Sequence, residues 1–247
     1  MADRDQLEGR NVVIEALRRG RRRVTGIWMD ERARPGGKVD ELQELAAKKG
    51  VPVFTVPRQK LDRRSETGAH NGVIAEAEPL DQHTTTSLLH ELAVRGEDPF
   101  LVLVDEVQYE HNLGAILRSA LGAGVNGVIV PVVRGKGLSP VVQRVAMGGA
   151  EEVPLVREGL SSALAVLSRA GVRIVGCDMD GAPVWQVPLT GPIALVLGGE
   201  DKGLTPTLRK RCDQVAAVPL QGGLDSLNVS VTAALFMFEK VRQERLG

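Results

Sequence analysis

A chain of 247 residues with 43% hydrophobic side chains can build one large domain, or a small domain joined to a medium one. A formal net charge of zero and 3% aromatic residues argue against indiscriminate polyanion binding and against base recognition on a row of stacking rings. No apolar run approaches a membrane span, no leader-like segment opens the chain, and Cys177 and Cys212 lack CxxC spacing or a histidine cluster. The expectation is therefore a soluble, cytoplasmic protein with reduced thiols and no metal site.

The first part reads helix, strand, helix, strand, helix, strand. GRNVVIEALRRG (9–20) sets Val12, Val13, Ala16 and Leu17 at helical spacing and closes on a glycine. VTGIWM (24–29) reads as a strand, VDELQELAAKK (39–49) as an amphipathic helix, and VPVFTV (51–56) and NGVIAEA (71–77) as two further strands. This predicts a small α/β unit over 1–77. Two basic runs lie in it. Arg21, Arg22 and Arg23 extend the end of the first helix, and Arg63 and Arg64 follow the second strand; each run is either a solvated helix end or an RNA contact.

Residues 78–98 are polar, contain one short helical stretch around Leu88–Val94, and read as a linker. A second alternation then fills 99–247. It has strands at 100–106, 127–133, 152–156, 172–178, 193–199 and 214–220, and helices at 112–124, 139–149, 160–171 and 205–212, with a final helix from about Leu227. Near-continuous apolar strands separated by helices predict a parallel sheet covered on both faces.

Three stretches of this second part carry chemistry. DEVQYEHNLGAILRSA (105–120) runs from a strand end into a helix. Asn112 sits at or near its start, and Arg118 interrupts an otherwise small and apolar face. Asn112 is either a helix cap or a ligand, and Arg118 either a surface residue or a guanidinium awaiting a carboxylate or phosphate. LGGEDKGL (197–204) and QGGLDSLNVS (221–230) are late glycine loops, each after a strand and before a helix. One such loop alone would mark only a tight turn; two closing one sheet suggest a pocket of backbone amides and carbonyls, suited to an adenine and a zwitterionic tail. The early GxGxxG turn of a nicotinamide dehydrogenase is missing.

In this order, HNLGAILRSA, LGGEDKGL and DSLNVSVTAALFMFE (225–239) resemble the three motifs of the SpoU family of RNA ribose 2′-O-methyltransferases. GRNVVIEAL (9–17) and ETGAHNGVIAEA (66–77) resemble that family's RNA-recruiting domain, which is related to ribosomal protein L30e. The subgroup most similar acts on a guanosine of large-subunit rRNA. The resemblance implies an α/β catalytic domain with a deep trefoil knot over 99–247, S-adenosylmethionine as cosubstrate, and a homodimer packed through the knot. It implies RNA, not DNA or membrane, as partner. Carried over by motif, Arg118 acts at the ribose 2′-hydroxyl with Asn112 positioning it, and Glu200, Ser226 and Asn228 complete the reaction site. The cofactor touches backbone near Gly198, Val218, Leu220 and Leu227. Glu110 stands where the family often has proline, and Asp201 where it usually has glycine, which bears on substrate choice. Other readings are a tRNA or antibiotic-resistance methyltransferase and a binding-only rRNA assembly factor.

Overall fold

The alternating pattern folds into two units that do not follow the chain consecutively. The computed structural model describes residues 4–133, 137–199 and 203–246. One unit comprises Met1–Asp81 with Leu138–Glu152, the other Gln82–Gly137 with Val153–Gly247.

The first unit begins with β1 (Asp5–Glu8), α1 (Arg10–Arg19), β2 (Val24–Asp30), α2 (Lys38–Lys49), β3 (Val53–Val56), α3 (Arg58–Arg64) and β4 (Val73–Ala77). The sheet order is β1-β4-β2-β3, with β4 antiparallel to both β1 and β2, and β2 parallel to β3. The apolar face of α1 packs with Leu7, Ile27, Leu42, Val73 and Ala75 in one core. The sequence pattern does not show β1, while α3 is the helix expected between the second and third strands of that reading. In β1 the buried partner of Leu7 is a carboxylate: Glu8 is fully buried and accepts hydrogen bonds from Gln6 Nε2 at 2.8 Å, Ser65 Oγ at 2.8 Å, the Glu66 amide at 2.6 Å and the Thr67 hydroxyl. Burial pushes this carboxyl up, but the hydrogen bonds, Thr67's first, hold it below the usual carboxylate range.

The chain continues with α4 (Thr85–Arg95), β5 (Phe100–Val104), α5 (Glu110–Ala123), β6 (Gly127–Val130), α6 (Pro140–Ala146), α7 (Gly149–Glu152), β7 (Leu155–Arg157), α8 (Leu160–Arg169), β8 (Arg173–Pro183), β9 (Ile193–Leu197), α9 (Pro206–Arg209), β10 (Gln214–Ala217) and α10 (Val229–Leu246). In the second unit β10-β8-β9-β5-β6-β7 make one sheet with every adjacent pair parallel. All five residues of β5 and of β9 are buried, as their unbroken apolar runs require.

Two expectations are corrected here. The stretch read as a linker is structural from Thr84 onward. A Thr84–Ser87 capping box starts α4, and Leu88 and Leu92, one turn apart, are buried in the core with Leu160, Leu164 and Leu167 of α8. The helix expected over 139–149 breaks at Met147 into α6 and α7, and both belong to the first unit. The break falls at Met147 and Gly148, both at positive φ, and a buried charge ties both helices to the first unit. Arg22, whose side chain is fully buried, donates from Nε to Glu151 Oε1 and Oε2 at 3.1 and 3.2 Å. It also donates to Asp5 Oδ2 at 2.6 Å and to Gln143 Oε1 at 2.6 Å. A guanidinium taken from water is held only when every donor finds a partner.

Candidate active site

The parallel strands β8, β9 and β10 end at a cavity of about 540 Å³. Its floor is backbone. Gly199 and Gly203 exchange N–H to C=O hydrogen bonds of 3.2 and 3.1 Å, folding the loop after β9 back on itself. A Cβ at Gly198 would lie 2.0 Å from the Gly203 carbonyl carbon, so only glycine lets the two passes of chain touch. Asp178, at the far part of β8, accepts from the Leu204 amide at 3.1 Å and fixes the other end of the loop.

Gly198, Val218, Leu220, Ser226, Leu227 and Asn228 all line this cavity, so two separate glycine loops converge on it. Asn228 resolves the choice between cap and ligand by doing both kinds of work. Its Oδ1 accepts from the Ser230 amide at 2.9 Å and the Ser230 hydroxyl at 2.6 Å at the start of α10, and its Nδ2 donates to Asn112 Oδ1 at 3.1 Å. Asn112 therefore lies in the first turn of α5, not at its cap, which is Tyr109. The bond spans 116 residues and ties the first motif to the third.

Arg118 takes the exposed one of its two alternatives. Leu113, Ile116, Leu117 and Ala120 carry the buried face of α5, while Arg118 is exposed, does not line the cavity, and has no hydrogen-bond or ion-pair partner among the described residues. Its guanidinium is solvated, so burial creates no demand for a counter-charge. Glu200 lies outside the described residues. Sequence reasoning missed Asp178, Met179, Thr232 and Phe236 in the cavity wall. The position of Asp178 at the end of an apolar strand was the available signal.

The cavity's electrostatics select among ligands. Its described lining carries two carboxylates, Asp178 and Asp225, and no lysine or arginine. Phosphate is disfavoured there, and a cationic ligand with an adenine-sized apolar portion is favoured. S-adenosylmethionine, with its sulfonium and ammonium, fits the lining. Cys177 also lines the cavity; burial pushes its thiol up, and the Cys212 thiol rises to about 11 for the same reason, so neither is a ready nucleophile. Among the described residues no group of three or more His, Cys, Asp or Glu side chains could hold a metal ion, and no helix is long and apolar enough to cross a membrane.

The arginines expected to touch RNA divide. Arg22 is consumed by its buried cluster. Arg64 stacks on Trp28 at 3.8 Å from the ring centroid and pairs with Glu76. Arg22 is corrected to a structural role, because its cluster occupies its donors; Arg64 keeps a buried Nε without a hydrogen-bond partner among the described residues. Arg21 pairs with Glu152 at 3.5 Å and Arg23 with Glu78 at 3.9 Å, both remaining largely exposed, as is Arg63.

The chain matches the SpoU rRNA Methylase family over residues 99–238 and the RNA 2′-O ribose methyltransferase substrate binding family over residues 6–83. The 23S rRNA (guanosine-2′-O-)-methyltransferase RlmB of Pseudomonas putida is 39% identical to it, over 100% of this chain and 99% of its own. The protein of the same name from Shewanella oneidensis is 36% identical over 99% and 100%. Among solved structures, the SpoU methyltransferase AviRb from Streptomyces viridochromogenes in complex with the cofactor AdoMet is similar with a TM-score of 0.81 at 25% identity, covering 99% of this chain and 92% of AviRb.

Proposed function

This chain belongs to the SpoU rRNA methylase family, and we propose that it methylates the ribose 2′-hydroxyl of a guanosine in large-subunit, 23S-type rRNA. It is an S-adenosylmethionine-dependent RNA ribose 2′-O-methyltransferase. The observation that carries the reading is the cavity itself: backbone-floored, acidic and tied through Asn112–Asn228 to the helix bearing Arg118.

Gly198, Val218, Leu220 and Leu227 hold S-adenosylmethionine through backbone, and Asp178 keeps the loop beneath it closed. The bound cofactor supplies an electrophilic methyl group. Asn112 and Asn228 fix the start of α5 against the start of α10, and Ser226 lines the same wall; Glu200 is assigned to the reaction site by its motif alone. Arg118 presents unoccupied donors to solvent, where an incoming ribose can meet them. A guanidinium stays protonated near neutrality. In one version Arg118 stays charged and stabilises the developing alkoxide while solvent water takes the proton; in the other Arg118 passes a proton to a neighbouring RNA phosphate as it takes one from the hydroxyl. A rate that does not rise with pH would exclude simple general-base action. Alignment of hydroxyl and methyl supplies much of the remainder, up to roughly 7–11 kcal/mol when ideal.

The return of the chain from edge strand β10 to α10, which packs on α5 and β9, supports a trefoil knot. Val231, Leu235 and Phe238 are each more than two-fifths exposed at i, i+4 and i+7 of α10, an apolar stripe that supports a homodimer through this region. The 6–83 segment serves as an L30e-like RNA-recruiting domain in the cytoplasm, with Arg21, Arg23 and Arg63 as outer contacts.

The test is transfer of labelled methyl from S-adenosylmethionine to total RNA of a methylation-deficient host, mapped by resistance to alkaline cleavage. One resistant guanosine in large-subunit rRNA is expected. Label in tRNA would move the substrate, and no label in RNA or ribosomal particles would remove the enzymatic reading.

A further inference from the structure

A second cavity, of about 430 Å³, lies wholly in the first unit. Four cations line it, Arg10, Lys38, Arg58 and Arg144, together with Asn11 and Asn71, and no carboxylate is among its described lining residues. Resting on the RNA methyltransferase reading above, we propose that this cavity seats backbone phosphates of the substrate RNA.

Two features show that it is built for an anion. Helices α1 and α2 both start here on glycines, Gly9 and Gly37, without a side-chain cap, and the first helical residues are Arg10 and Lys38. A cation at a helix N-terminus opposes the dipole; α2 offsets Lys38 with Asp40 and Glu41 in its first turn, whereas α1 has no acid there, so the start of α1 is the one that calls for an anion. The existing contacts also leave donors over. Arg10 Nε is buried with no hydrogen-bond partner, Arg144 Nη1 donates to the Thr67 hydroxyl at 3.1 Å, Lys38 reaches only the Asn11 side-chain oxygen, and Arg58 meets Asp30 at a long 3.4 Å. An oxyanion bridging these groups would satisfy all four at once. Arg144 reaches this place because α6 belongs to the first unit. The basic cavity is thus distinct from the Arg21–Arg23 run, whose central member is buried.

The phosphate could come from RNA or from free inorganic phosphate, and the experiment separates them. Full-length wild type, Lys38→Gln, and Lys38→Gln/Arg58→Gln are titrated by filter binding with unmodified large-subunit rRNA across a salt series. Methyl transfer by wild type and cofactor affinity by calorimetry are measured alongside. The double variant should bind RNA about tenfold or more weakly, with the slope of log affinity against log salt reduced by about 2, and Lys38→Gln alone by about 1. Cofactor affinity should stay within about twofold, and thermal unfolding of each variant should match wild type, which shows that the first unit still folds. Lys38 is exposed, so the single variant decides the matter if the double one is unstable. Unchanged affinity and slope, with wild type still methylating, would overturn the phosphate seat alone. The same holds for saturable binding of inorganic phosphate that both variants lose while RNA binding persists. A wild type that binds cofactor but neither binds nor methylates RNA would overturn the functional reading, and this inference with it.

Discussion

The two cavities are opposites in charge. Among the described residues, the one at the ends of β8, β9 and β10 is lined by two aspartates and no lysine or arginine, while the one at the starts of α1 and α2 is lined by four cations and no carboxylate. A formal net charge of zero conceals this division. One cavity suits a small cationic cofactor and the other a polyanion, so the sum of charges says little about partners when the signs are sorted by site.

The division can be broken from either side. The largest effect is expected from Arg118→Ala, which should lower methyl transfer by about a thousandfold, an effect of the size seen when a transition-state donor is removed. Cofactor affinity by calorimetry should barely move, because Arg118 lies outside the cavity lining; an equal loss of both would place Arg118 in cofactor binding. Next, Gly198→Ala puts a methyl group onto the Gly203 carbonyl and should weaken cofactor binding about a hundredfold, roughly 2.7 kcal/mol, with RNA affinity in filter binding unaffected. Matched losses of cofactor and RNA would show that the two cavities are not independent. Glu8→Gln acts on the basic side, where Glu8 immediately precedes Gly9. It should cost about 2 kcal/mol in chemical denaturation by placing an amide among donors. The folded carboxyl sits below its unfolded value, so Glu8 contributes its stability above the ordinary carboxylate range and loses it as pH falls through the lowered folded value. Wild type and variant should therefore converge in acid, and a constant gap down to low pH would contradict this. The smallest effect is the coupling between Asn112 and Asn228. A double-mutant cycle with alanines, read as methyl transfer, should return about 1 kcal/mol, and strict additivity would mean that the hydrogen bond has no part in catalysis.

Much of the catalytic unit was legible because its strands are unbroken apolar runs. Residues 100–106 and 193–199 could hardly be anything but buried strands, and the family resemblance, not the pattern alone, implied Gly198, Val218, Leu220 and Leu227, all of which line the cavity. What escaped depends on contacts distant in sequence or on single residues. β1 carries a buried carboxylate in place of an apolar side chain and so has no periodicity to read, and α3, expected only as a helix between two strands, buries only Leu61, which left its bounds open. α4 looked like a linker because two leucines in a polar stretch were enough to anchor it. Asp178 is one acid at a strand end, and its bond to the loop 26 residues later appears only in the fold. The fates of the arginines were illegible for the same reason. Arg22 and Arg23 are neighbours in sequence, yet one is buried against Glu151 and the other faces solvent.

The Arg22 cluster makes the first unit discontinuous as a piece of chain. Its fold is closed by a keystone borrowed from the middle of the sequence, so the N-terminal segment is not a detachable cassette. A fragment ending at Asp81 keeps Asp5 but forfeits Glu151 and Gln143, stranding a guanidinium at a cost of several kcal/mol. Any chimera that exchanges RNA-recruiting domains between relatives must carry residues 138–152 along with the N-terminus. A graft made at the apparent boundary near residue 80 would transplant half of an interior.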